Sequence, residues 1–211
     1  YFPTQGLSEH FHPPRKLLLP PAGRVIEGVD RSAPERRVLY VGGISKEYGI
    51  DLLLAAMDRL AEHMPEVKLS LVCAAHDHPL IQPYRDRPWL DLMRRQTDEL
   101  LPEMNRAAVA IIPFPPMEYP ALSVKLLDYL SYGLPVLATP WGDVQRFIEA
   151  NGCGRIAQPT PEGLAGGLAE LLGDPREAER LSQAALATIR NGHSWEDRAR
   201  TVVDTLLSSR P

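Results

Sequence analysis

Cysteine is scarce: Cys73 and Cys153 are the only two in 211 residues. Each falls in or beside a predicted strand, so both read as buried free thiols, which suits a reducing compartment. No run of about 18 apolar residues exists, which excludes a helical span of a bilayer. There is no secretory leader pattern, and the chain opens on Tyr1 rather than Met, which suggests an excised piece of a longer protein. Positive charge is not in excess. The formal net charge of -4 gives no sign of a nucleic-acid surface. Internal repeats, a Ser-His-Asp set, zinc-ligand spacing and a nucleophile elbow are also missing. The run VGGISKEYG at 41–49 is neither a G-x-G-x-x-G fingerprint nor a P-loop, so it gives no support to a dinucleotide or ATP site.

What is present is enough apolar sequence, 44%, for one large core or two small ones. Residues 1–35 carry Pro3, Pro13, Pro14, Pro20, Pro21 and Pro34 and read as a linker or wrapping arm, with a short strand conceivable at Lys16–Leu19. His10 and His12 form a lone H-x-H without the further ligands a metal site needs. From Arg36 the pattern sharpens. RRVLYVGG reads as a strand ending in two glycines, Asp51–His63 as a helix, and Val67–Ala74 as the next strand. These make a βαβ unit with parallel strands and a right-handed crossover.

A proline- and charge-rich loop follows, in which His76, Asp77 and His78 sit at a strand's carboxyl end. Arg85, Arg87, Arg94 and Arg95 there read as solvated charges or as contacts for an anion. Trp89–Met93 and Val109–Phe114 are further strand candidates, with a helix over Thr97–Arg106 between them that Thr97 can cap. Leu134–Thr139 and Gly154–Gln158 complete six strands. Val144–Ala150, Glu162–Leu172, Pro175–Arg190 and Trp195–Ser208 read as helices, the third with Asp174 at its cap and proline at its first position. Strands alternating with helices predict a Rossmann-like, doubly wound parallel α/β sheet with helices on both faces, forming one domain over 36–211.

The chain is organised around Pro115–Pro140, PPMEYPALSVKLLDYLSYGLPVLATP. Leu122, Leu126, Leu127 and Leu130 fall on one helical stripe, which leaves Ser123, Lys125 and Asp128 free to face a cleft. This helix starts beyond the carboxyl end of a strand, where open α/β sheets bind ligands. Its first amides, near Leu122 to Lys125, lack intrahelical acceptors and lie at the positive end of the helix dipole, a seat for a phosphate or diphosphate. Asp128, one turn on, could accept two hydrogen bonds from a ribose diol, or could be an exposed carboxylate paired with Lys125. Gly42 and Gly43 would let a ligand approach the backbone, though a plain tight turn reads equally well. Lys46 would be a cation at the cleft mouth, suited to a diphosphate leaving group, and Glu118 could accept a sugar hydroxyl.

The ordered set VLYVGGISKEYGIDLLLAAMDRL, VKLSLVCA, VAIIPF, VKLLDYLSYGLPVLATPWGDVQRFIEANGCGRIAQP and HSWEDRA resembles the C-terminal half of a GT-B glycosyltransferase of the retaining family 4 kind. The likeness spans about Val25 to Leu207, and its best motif, Lys125 to Thr139, is similar to the family's "K-l-x-E-y-x-a-x-G-x-P-V" pattern. The resemblance implies that this half binds a nucleotide-diphosphate sugar, UDP-sugar favoured, without a bound metal, while a separate N-terminal domain carries the acceptor site. By position it places Gly42, Gly43 and Ile44 near the diphosphate and the backbone of Leu122, Ser123 and Val124 at the phosphate. It makes Asp128 the ribose ligand, puts Met93 and Arg94 near the base, and gives Lys46 and Glu118 catalytic roles.

Two departures stand out. The family commonly has arginine and lysine where this chain has Gly43 and Tyr48, so charge stabilisation would fall to Lys46, Lys125 and backbone amides. The first acid of the family's E-x7-E motif would fall at Pro120, with Glu118 the nearest acid. The resemblance implies a cytoplasmic transferase of glycan biosynthesis that touches the membrane, if at all, through its missing half. A GT-B epimerase and a catalytically silent nucleotide-sugar-binding module are the alternatives.

Overall fold

The computed structural model describes residues 17–95, 99–116 and 122–208. Six strands, β1 (Glu35–Val41), β2 (Lys68–Val72), β3 (Leu90–Met93), β4 (Ala107–Ile112), β5 (Val136–Ala138) and β6 (Gly154–Ile156), form one sheet in the order β3-β2-β1-β4-β5-β6. Every pairing is parallel, with Leu39 opposite both Ser70 and Ala110 in the centre. Parallel strands covered on both faces read as continuous apolar runs, and β1 does so. Val38 and Tyr40 enter one core and Leu39 the other.

Seven α-helices are present among the described residues: α1 (Ile50–His63), α2 (Leu101–Arg106), α3 (Val124–Ser131), α4 (Gly142–Asn151), α5 (Pro161–Gly173), α6 (Pro175–Arg190) and α7 (Trp195–Ser208). The core on one face draws on α1 and α5, and the opposite core on α2, α3, α4 and α6. The leucine stripe of α3 is buried as its spacing predicts, with Leu126, Leu127 and Leu130 all at 0% exposure. Thr160 caps α5 by accepting from the Gly163 amide, and Asp174 caps α6 by accepting from Arg176 and Glu177. Gly152 closes α4 in the left-handed conformation at φ 59°.

Most boundaries shift by one or two residues from the sequence reading, and two differences are instructive. β4 begins at Ala107 rather than Val109, because Glu35 of β1 pairs with Ala107 and extends the ladder over alanines that have little strand preference of their own. The helix expected from Thr97 is described only from Leu101, and Thr97 itself lies outside the described residues. His10, His12 and Lys16 lie outside them as well.

The described part of the arm packs against the domain. Gly23 donates to the His193 carbonyl at 2.9 Å and accepts from Trp195 at 3.1 Å, and a side chain on it would collide with the Ser131 hydroxyl, 2.5 Å from the Cβ position. Arg198 donates to the Pro20 carbonyl at 2.9 Å. The arm thereby runs beside α3 and brings Arg24 near the site.

Candidate functional site

Where the order of a parallel sheet reverses, neighbouring connections leave on opposite faces and open a crevice at the strands' carboxyl ends. Here that point lies between β1 and β4. Its walls are the turn after β1, the segment after β4 and the start of α3. A cavity of about 670 Å³ opens beside the turn, lined by Gly42, Gly43, Ile44, Cys73, Arg94 and Arg95. A smaller hollow of about 230 Å³ is lined by Arg24, Val124, Lys125, Asp128 and Tyr132, and Val41 walls both.

Ser123 occupies the N-cap of α3 in an extended conformation, but its hydroxyl makes no capping bond. Among the described residues the amides of Val124 and Lys125 meet no acceptor, and the first amide turned inward is Leu126, which donates to the Ser123 carbonyl at 3.1 Å. Unsatisfied amides at a helix start suit an anion. The Leu122 side chain turns the other way, into the core and into an apolar hollow shared with Phe147 and His193, so this residue can serve the crevice only through its backbone.

Lys125 does not stand free in the cleft as its helical position suggests. Its chain reaches across the end of β1 and lays the amine over the Tyr40 ring, 4.0 Å from the centroid, with Tyr48 at 5.4 Å and Phe114 at 5.6 Å. Among the described residues no carboxylate pairs with it, and burial lowers its pKa to about 8. Gly42 makes this placement possible. Its φ is 149°, and a Cβ there would lie 2.6 Å from the Lys125 Nζ.

Asp128 lies at the outer lip of the smaller hollow. Desolvation raises its carboxyl above the ordinary carboxylate range, against the opposing pull of Arg24. Among the described residues it forms no ion pair with Lys125, so the surface pair weighed from the sequence is replaced by the aromatic contact.

The remaining sequence candidates divide. Arg94 lines the larger cavity; Met93, the last residue of β3, packs on the core, while its carbonyl accepts from the Cys73 amide at 3.0 Å. Lys46 is exposed and lines neither hollow. Glu118 lies outside the described residues. Arg85 and Arg87 are held by Asp77 and Asp58, each at 3.0 Å, so the loop cations other than Arg94 and Arg95 are engaged away from the crevice. His78 accepts from the Leu80 amide and braces its own turn. Among the described residues no three His, Cys, Asp or Glu side chains gather for a metal ion, and no helix is long and apolar enough to cross a membrane.

Sequence reasoning missed Tyr40, Tyr48 and Phe114 around Lys125, and Arg24 beside Asp128. Tyr48 next to Gly49 and Phe114 at a strand's end were visible as positions, but nothing in their spacing joins them.

Comparison with known proteins fits this geometry. The sequence profile described as "Glycosyl transferases group 1" matches residues 35–174, which takes in the turn after β1, the opening of α3 and Asp128. Glycogen synthase of Mycobacterium tuberculosis is 24% identical over 184 residues, covering 82% of this chain and 42% of the relative, so the chain spans less than half of that protein. Among solved structures, sucrose-phosphate synthase from Thermosynechococcus elongatus superposes with a TM-score of 0.74 at 21% identity, over 92% of this chain and 53% of that one. A mutant of S. aureus TarM, in complex with UDP among other ligands, superposes with a TM-score of 0.78 at 16% identity, over 95% and 41%. Anabaena HepE in complex with UDP gives 0.69 at 17% identity, over 82% and 49%. With the profile matching the span that holds all six strands, about two thirds of the chain, the chain belongs to the group 1 glycosyltransferases.

Proposed function

We propose that this chain is the donor-binding half of a retaining glycosyltransferase that takes a nucleotide-diphosphate sugar, UDP-sugar in preference to GDP-sugar, and passes the sugar to an acceptor hydroxyl held by an N-terminal half. The observation that carries the reading is the set of donors at the β1/β4 crevice: the amides of Val124 and Lys125, which meet no acceptor among the described residues, the Lys125 ammonium and the Gly42–Gly43 turn. In this reading the glycosidic C–O bond to the diphosphate breaks and negative charge collects on the departing phosphate oxygen. Preorganised amides and an ammonium stabilise that charge without reorganising, which is where such a site gains most. No resident metal is assigned to the step. Asp128 holds the ribose diol, and Arg94 lies beside the base. The UDP complexes of HepE and TarM support the donor class by likeness of fold.

The test is calorimetric titration of the chain with UDP and with pyrophosphate. Asp128→Ala should weaken UDP about tenfold, the loss of one or two hydrogen bonds to a charged group, and leave pyrophosphate nearly unchanged. Equal weakening of both would remove Asp128 from the ribose, and no binding of UDP, GDP or ADP would overturn the donor-binding reading.

A further inference from the structure

The turn after β1 offers little side-chain charge of its own. Gly42 and Gly43 have none, and Lys46 is exposed and apart from both hollows. Yet the space over Gly43 is not open. A Cβ built there would lie 2.9 Å from the Tyr48 ring, so the ring covers the turn although the Gly43 backbone is not in the left-handed region. The same ring forms one wall around the Lys125 amine. Tyr40 supplies the floor, and its hydroxyl donates to the Gly43 carbonyl at 2.8 Å, tying floor to turn. Phe114 supplies the third wall and is itself held edge-on by Trp141, with centroids 5.0 Å apart, and packed against Tyr48 at 5.9 Å. Among the described residues the groups facing the amine are therefore three aromatic rings, from the β1 strand, the β1–α1 loop and the segment after β4. On its own helix the nearest acid is Asp128, which does not pair with it.

An ammonium enclosed by ring faces is held in place without being neutralised. A carboxylate would fix it equally well but would cancel the charge an incoming anion needs. We infer that Tyr48 is a positioning residue that holds Lys125 as the diphosphate cation of this site, completing with Tyr40 and Phe114 an aromatic box that keeps the ammonium un-neutralised at the Gly42–Gly43 turn. This rests on the donor-binding reading and adds to it a device. The cation comes from α3 rather than from the β1–α1 loop, and the loop's contribution is a ring. Tyr48 is 44% exposed, so it can be replaced without opening the core, whereas Tyr40 is fully buried and cannot.

The experiment compares the affinity of UDP with that of uridine, the ratio isolating what the diphosphate adds. Lys125→Met should lower UDP affinity at least tenfold with uridine unchanged. Tyr48→Leu should lower UDP affinity about three- to tenfold, again with uridine unchanged, and Tyr48→Phe, which keeps the ring face, should restore it. A ring that only filled space would lower both ligands together, or neither. The inference is overturned if Tyr48→Leu binds UDP as the parent does, if uridine falls in parallel, or if Tyr48→Phe behaves like Tyr48→Leu. If the unmodified chain binds no UDP, the donor reading fails and this inference goes with it. If it binds UDP and Lys125→Met leaves that affinity intact, only the inference fails.

Discussion

Lys125 carries a charge that folding makes costly, and pH exposes that cost. Its folded pKa is lowered to about 8 by burial, against an unfolded value of about 10.4. Between these values the unfolded chain binds more protons than the folded one, so the Lys125 contribution to stability rises with pH from about 8 to about 10. In urea denaturation at pH 7.5, 8.5 and 9.5 the midpoint of the parent should therefore climb relative to that of Lys125→Met. Burial also pushes up the thiols of Cys73 and Cys153 and the phenols of Tyr40 and Tyr129, so they stay protonated when folded and their contribution falls as pH rises through their unfolded values, equally in the parent and in Lys125→Met. Ligand affinity should move the opposite way. Only the ammonium attracts a diphosphate, so UDP binding should weaken as pH passes about 8, and Lys125→Met should be level over the same interval. A decline that persisted in the variant would place the titrating group elsewhere.

At the scale of elements, the crevice depends on how β1 hands over to α1. Gly49 starts α1 in the left-handed conformation at φ 68°, and a Cβ there would lie 1.7 Å from the Pro113 carbonyl oxygen. The β1–α1 loop and the segment after β4 are thus in backbone contact across the switch point. Gly49→Ala should cost at least about 2 kcal/mol from backbone conformation alone, with the clash added, and should lower UDP affinity by spreading the two walls. Asp174→Ala at the α6 cap, remote from the crevice, should cost about 1 kcal/mol in urea denaturation and leave UDP affinity unchanged.

These two positions also mark what could be read in the chain. The cap at Asp174 follows from local chemistry, an acid before Pro175, and so do the apolar central strands and the buried stripe of α3. The contact of Gly49 with Pro113 joins residues 64 apart in sequence, and the box around Lys125 draws Tyr40, Tyr48, Phe114 and Lys125 from four separate segments. Helical periodicity placed Lys125 off the buried stripe correctly. It could not tell that a long flexible side chain would bend back over β1, because that depends on Gly42 leaving room and on a ring lying beneath.

For the whole molecule, the proposed donor seat draws on both halves of the sheet, which meet at β1 and β4 and again where α1 packs on α5. The crevice takes its turn and larger cavity from β1, β2 and the loop after β3, and its amides, ammonium and carboxylate from α3, which follows β4. A ligand spanning both must stabilise the folded chain as a unit, since the unfolded chain offers no such arrangement. At about 100 times its Kd, UDP should add about 2.7 kcal/mol to the unfolding free energy and raise Tm by about 5 to 11 °C for a chain of this size. The gain should grow by about 1.4 kcal/mol for each further tenfold in concentration. Because the two sides share the ligand, Asp128→Ala and Lys125→Met should each cut the Tm rise in proportion to lost affinity, while Asp174→Ala should lower the starting Tm and keep the rise. A rise that survived both crevice substitutions would mean that UDP binds away from the β1/β4 switch point, and the coupling between the halves would then have to come from packing alone.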